Sequence, residues 1–95
     1  MLDELRKVID EIDTELLILL NRRAAVSKRI GAIKIKAGLP LVDGQREVEV
    51  LRKIVRENEG TLDNAAAARI HAAIIKECRQ IQIDMAHSIA ESGQI

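Results

Sequence analysis

The sequence predicts an all-α fold of three helices, one very long, one short and one long, and three observations carry that prediction. Apolar residues recur at alternating steps of three and four from Leu2 to Ile33, the period of a single helix face. Phe, Tyr and Trp are all absent, so Leu, Ile, Val and Ala must make an aliphatic core. No strand-like alternation, internal repeat or low-complexity segment interrupts the chain. Its 95 residues correspond to one domain, 1–95, and a chain of this size buries a smaller share of its surface than a larger protein does.

Helix one is expected from about Leu2 to about Ala37. Its stripe is Leu2, Leu5, Ile9, Ile12, Leu16, Leu19, Val26, Ile30 and Ile33, with Arg23 in the missing beat. "KAGLP" ends it, because Gly38 suits a left-handed cap and Pro40 disfavours helix at Leu39. Asp43 is the expected N-cap of a short second helix whose apolar face is Val48, Leu51, Ile54 and Val55. "ENEGTLDN" breaks that helix. The third is expected from about Leu62 or Asp63 to near Ile89, with Ile70, Ile74, Ile81 and Met85 on one stripe and Ala65 to Ala68 favouring helix; the tail "ESGQI" is expected to fray.

At about 1.5 Å per residue helix one spans roughly 54 Å, whereas a compact chain of this length has a radius of gyration near 12–13 Å. So long an apolar stripe needs a partner, most economically a second copy on a twofold axis, which predicts an intertwined helical homodimer.

Charge narrows the function classes. Fifteen Lys and Arg balance fifteen Asp and Glu, so no overall positive field attracts nucleic acid or an acidic membrane, and no aromatic side chain can stack on bases. Cys78 is the only cysteine, which excludes an intrachain disulfide and fits the cytosol. The longest purely apolar run, Leu16 to Leu20, is too short for a membrane span or a signal-peptide core, so no targeting segment is expected.

Four groups of residues could carry chemistry. Arg23 needs either an anion to meet it or a route to solvent along its own methylenes. Lys34 lies eleven residues on, which returns it to within roughly 20° of Arg23 around the helix. Between them Gly31 signals a close approach, by a helix or by a ligand. Arg6 lies about 25 Å from Arg23 along the axis, so only an antiparallel partner could bring it to the same place, and within its own helix it can pair with Asp10 or Asp13. In "DGQRE", Asp43, Arg46 and Glu47 share the first turn of helix two, with the cap and the helix dipole as a sufficient account of the acids. In "CRQIQ", Cys78 and Gln82 share one face of helix three. His71 and Cys78 share a face that His87 does not join, too few ligands for zinc, and Ser27 lacks the His and Asp pattern of a nucleophile.

In their order and spacing, "LRKVIDEID", "LLNRRAAVSKRIGAIK", "DGQRE" and "CRQIQ" resemble the all-helical chorismate mutases, over nearly the whole chain. That resemblance implies an intertwined homodimer with shared active sites that rearranges the dicarboxylate chorismate to prephenate, in aromatic amino-acid biosynthesis, without a cofactor or metal. It also implies roles. Arg23 resembles the arginine that binds a substrate carboxylate, and Arg6 the arginine delivered from the other subunit. Lys34 resembles the lysine that contacts a carboxylate and the ether oxygen. Asp43 and Glu47 resemble the acidic pair near the substrate hydroxyl, with Arg46 between them, and Gln82 the donor to the ether oxygen. Cys78 departs from the family, where serine is frequent, and a thiol is the weaker donor to a carboxylate. Two other functions stay open: an isochorismate pyruvate-lyase of the same fold, and a non-catalytic helical dimerisation or regulatory module.

Overall fold

The computed structural model describes residues 1–93 and contains three helices: α1, Leu2–Ala37; α2, Gly44–Glu57; and α3, Asn64–Glu91. No strand occurs among the described residues. α1 ends as expected at Gly38, whose φ of 69° is left-handed, and the Leu39 amide donates back to the Lys34 carbonyl at 2.8 Å. Asp43 caps α2 by accepting from the Arg46 amide at 3.1 Å. Asp63 does the same for α3, accepting from Ala66 at 2.7 Å, so the helix starts at Asn64, just after the expected Leu62 or Asp63. α3 runs two residues past Ile89 and closes in a turn at Ser92 and Gly93, so the expected fraying does not begin at Glu91; Gln94 and Ile95 lie outside the described residues.

α3 packs against both α1 and α2, while α1 and α2 do not pack on each other. The chain is therefore elongated, 57 × 27 × 14 Å, with a radius of gyration of 16.8 Å, well above the compact value of about 12–13 Å.

Two expected faces, those of α3 and α2, are corrected, whereas the apolar stripe of α1, for which a partner is expected, is left open by its own chain. The large apolar stripe of α1 is not the surface α1 offers to its own chain: every residue from Leu2 to Arg22 is exposed, and Val26, Ile30 and Ile33 are exposed too. What α3 covers is the adjacent stripe of small residues, Ala24, Ser27 and Gly31. A Cβ at position 31 would lie 2.8 Å from Cγ of Gln82 and 2.9 Å from Cε of Met85, so glycine is what lets the two helices approach. On α3 the buried residues are Ala67, Ile75, Cys78 and Gln82, one step round from the expected stripe, and Ile70 is exposed. On α2, Val48 is exposed and Val50 is half-buried instead.

Candidate active site

Between the three helices lies a cavity of about 390 Å³. α1 contributes Arg23, Val26, Ser27, Ile30 and Lys34, and the following loop adds Leu41. Asp43, Arg46, Glu47 and Val50 come from the cap and first turns of α2; Ile75, Cys78, Arg79 and Gln82 come from α3. Seven of the eight residues singled out in the sequence meet here. Arg6 does not: it is exposed on the open half of α1, on the helix the resemblance requires to be lent to another chain.

The cavity carries four cations, Arg23, Lys34, Arg46 and Arg79, against two carboxylates, Asp43 and Glu47. Arg46 leans outward to Glu49 at 3.8 Å in an exposed pair that contributes little stability. Glu47 pairs with Arg79 across the α2–α3 seam. Arg23 and Lys34 are half-buried on the same wall, and among the described residues neither has a carboxylate within ion-pairing distance. Lys34 Nζ donates to the Leu41 carbonyl at 3.2 Å, which leaves two of its three N–H donors for a ligand.

Gln82 is buried. Its Nε2 donates to the Ser27 carbonyl at 2.8 Å and to Ser27 Oγ at 3.0 Å, while Ser27 Oγ donates to the Cys78 carbonyl at 3.2 Å. Ser27, which has no nucleophile's partners, instead fixes the rotamer of Gln82 at the cavity wall. Cys78 is a buried free thiol lining the cavity. His71 sits near the head of this wall, where burial first and the neighbouring Arg23 charge second push its pKa below the usual 6.5.

Sequence reasoning missed Arg79 and Ser27. Arg79 had a usable signal, since Ile75, Arg79 and Gln82 follow the i, i+4, i+7 spacing of one helix face. Ser27 reads in the sequence only as a nucleophile without partners. No group of three or more His, Cys, Asp or Glu side chains converges among the described residues, and no helix there is long and apolar enough to cross a membrane.

Comparison with known proteins identifies the family and the fold. The family model for chorismate mutase type II matches residues 5–83. A bifunctional chorismate mutase/prephenate dehydratase of Aquifex aeolicus is 46% identical over 85 residues, covering 85% of this chain and 24% of that protein. A chorismate mutase of Methanocaldococcus jannaschii is 32% identical over 84 residues, covering 85% of this chain and 83% of that one. The solved structure of a Thermus thermophilus chorismate mutase superposes with a TM-score of 0.84 at 30% identity, covering 85% of this chain and 92% of that chain. Against the bifunctional relative, the chain spans about a quarter of the length. With the matched segment reaching from the exposed half of α1 through Gln82, the chain belongs to the type II chorismate mutase family.

Proposed function

We propose that this chain is a cytosolic, homodimeric chorismate mutase that converts chorismate to prephenate in aromatic amino-acid biosynthesis, each active site completed by Arg6 of the other copy. The observation that carries this reading is the pair of half-buried cations, Arg23 and Lys34, without a protein anion on the wall of a cavity that also holds a buried amide, Gln82. A dicarboxylate is the complement of such a wall.

The reaction is an intramolecular Claisen rearrangement: the ether C–O bond breaks as a C–C bond forms, with no nucleophile and no proton transfer. The protein must hold a flexible dianion in its compact chair-like conformer, and fixing both carboxylates removes most of that freedom before the barrier is met. Arg23 takes one carboxylate, and Arg6 from the second copy with Lys34 takes the other. Negative charge then grows on the ether oxygen. Lys34 has spare N–H donors for it, and Gln82 can direct to it the N–H now aimed at Ser27 Oγ. Donors brought to bear on a developing charge in a water-poor site contribute up to a few kcal/mol each, less the cost of turning Gln82 from Ser27. Asp43 and Glu47 accept from the ring hydroxyl, which orients the ring.

The charge pattern of α1 supports an antiparallel dimer. Residues 2–15 carry six acids against two bases, while residues 16–37 carry six bases and no acid. Antiparallel pairing sets each acidic half beside a basic half. For Arg6 to reach the region between Arg23 and Lys34 of the other copy, the twofold axis must pass near residue 17. That point falls within Leu16–Leu20, where α1 is apolar on every side and exposed in the single chain.

The deciding measurement follows the disappearance of chorismate in the near ultraviolet, where a chain without Trp or Tyr adds little background, with the product identified by mass spectrometry. Saturable formation of prephenate is expected. Turnover no faster than that of Lys34→Ala would refute the assignment, and release of pyruvate from isochorismate in its place would move the chain to lyase chemistry.

A further inference from the structure

Three ion pairs occur among the described residues, and they differ in kind. Arg46–Glu49 and Lys53–Glu57 are one-turn pairs on the outside of α2, with side chains between 54% and 68% exposed. Arg79–Glu47 instead joins two helices, lies in the cavity wall, and is only 31% and 28% exposed. Its guanidinium donates to Oε1 of Glu47, and Oε2 accepts from no protein donor among the described residues. α2, which carries Asp43 and Glu47, does not pack on α1 and depends on α3 for its placement.

We propose that Arg79 is a positioning residue that acts through Glu47: it holds one carboxylate oxygen across the α2–α3 seam, so that the other faces the cavity as an acceptor for a ligand hydroxyl. The inference rests on the mutase reading, which supplies that hydroxyl. Without the guanidinium, Glu47 regains rotamer freedom and is repelled by Asp43 one turn away, so it turns toward solvent. An arginine suits this position because its permanent charge and long side chain reach one carboxylate oxygen across the seam and leave the other free.

The kinetic signature follows from the chemistry. The ring hydroxyl takes no part in the bonds that form and break, so a contact with it is worth the same in ground state and transition state. Its loss raises KM and leaves kcat nearly unchanged.

The test compares the parent chain with Arg79→Ala, Arg79→Gln, Arg79→Lys, Glu47→Gln and the double variant Arg79→Ala with Glu47→Gln, all assayed with chorismate and checked for folding by circular dichroism. Arg79→Ala is expected to raise KM about tenfold with kcat within about threefold, and Arg79→Gln to do the same should the alanine variant fold poorly. Arg79→Lys should recover most of the loss. In the Glu47→Gln background, Arg79→Ala should change KM less than about twofold, because the carboxylate that Arg79 orients has become a neutral amide with one acceptor oxygen. Additive losses in the double variant, or a fall in kcat at constant KM, would overturn the proposal by giving Arg79 a direct or purely structural part. A parent chain inert toward chorismate overturns the mutase reading and this inference together, whereas an active parent with additive losses overturns this inference alone.

Discussion

The two halves of α1 reverse the usual relation between apolarity and burial. From Leu2 to Arg22 the helix carries most of its large aliphatic side chains, and all of them are exposed in the single chain, Leu17 and Ile18 by about 60%. From Arg23 to Ala37 it carries five bases, yet here Ser27 and Gly31 are buried and Ala24, Lys34 and Ile35 are half-buried. The chain covers the half built of small and polar residues and leaves open the half built of large apolar ones. A surface of that size on a folded chain is rare unless something else covers it. One half of α1 therefore makes the chain's own cavity, and the other is proposed to complete the cavity of a second copy.

The strongest way to break this division is a charge in the open half. Leu16→Asp would bury two carboxylates close to the twofold axis, and an unpaired charge in an apolar setting costs several kcal/mol. Dimers should disappear in analytical ultracentrifugation, and activity should fall more than about a hundredfold, roughly 2.7 kcal/mol. A dimer of parent stability and activity would show that the open half is not the interface.

A subtler break leaves the dimer intact and separates the halves genetically. Arg6→Ala and Lys34→Ala dimers should each be nearly inactive while folded. Unfolding the two together and refolding them in equal amounts gives mixed dimers in about half the population, by random pairing. Each mixed dimer has one pocket with both lesions and one with neither, so about a quarter of parent activity should return if the pockets work independently. Recovery near zero, with mixed dimers confirmed by mass spectrometry, would remove Arg6 from the site.

The same contrast explains what the sequence made legible. Helix ends were readable because Gly38, Asp43 and Asp63 act locally, through φ and through cap hydrogen bonds. The heptad stripe of α1 was readable as well, but it marks the face left open by this chain, since hydrophobic periodicity scores large side chains and passes over Ala24, Ser27 and Gly31. The α3 face was misplaced for the related reason that its buried set mixes Ile75 and Ala67 with Cys78 and Gln82. Seven of the eight candidate site residues converge because their spacing survives helix packing. The helix face shared by Ile75, Arg79 and Gln82 places Arg79 at the site, but its link to Glu47, 32 residues away, follows from no local pattern.

Within the covered half, Gly31 offers a graded probe. Alanine there regains about 1 kcal/mol of helix propensity, but its Cβ would press on Cγ of Gln82 and Cε of Met85. Met85 can bend away, whereas Gln82 is held by both the carbonyl and the hydroxyl of Ser27. Overpacking of this kind costs about 1–3 kcal/mol, so thermal stability should change little or fall slightly. Activity should fall more, about tenfold, because the displaced residue is the proposed ether-oxygen donor. Parent activity in a stabilised Gly31→Ala chain would show that Gln82 does not need its present position.

The smallest expected effect lies at the boundary between the halves, where His71 meets the charge of Arg23. Burial and that charge both favour the neutral ring, so its folded pKa lies below 6.5, near which an unfolded histidine titrates. The folded chain thus binds a proton at His71 less readily than the unfolded chain does. The stability associated with neutral His71 is complete above about pH 6.5 and is lost as the pH falls from there through the lowered folded pKa. His71→Gln keeps a neutral polar side chain and removes that titration, so the fall in Tm between about pH 7.5 and 5.5 should be smaller in the variant than in the parent. The parent's His71 ring resonances, followed by NMR, should titrate with a midpoint below 6.5. A midpoint at or above that value, or identical Tm profiles for the two chains, would show that burial and the Arg23 charge do not hold the His71 ring neutral.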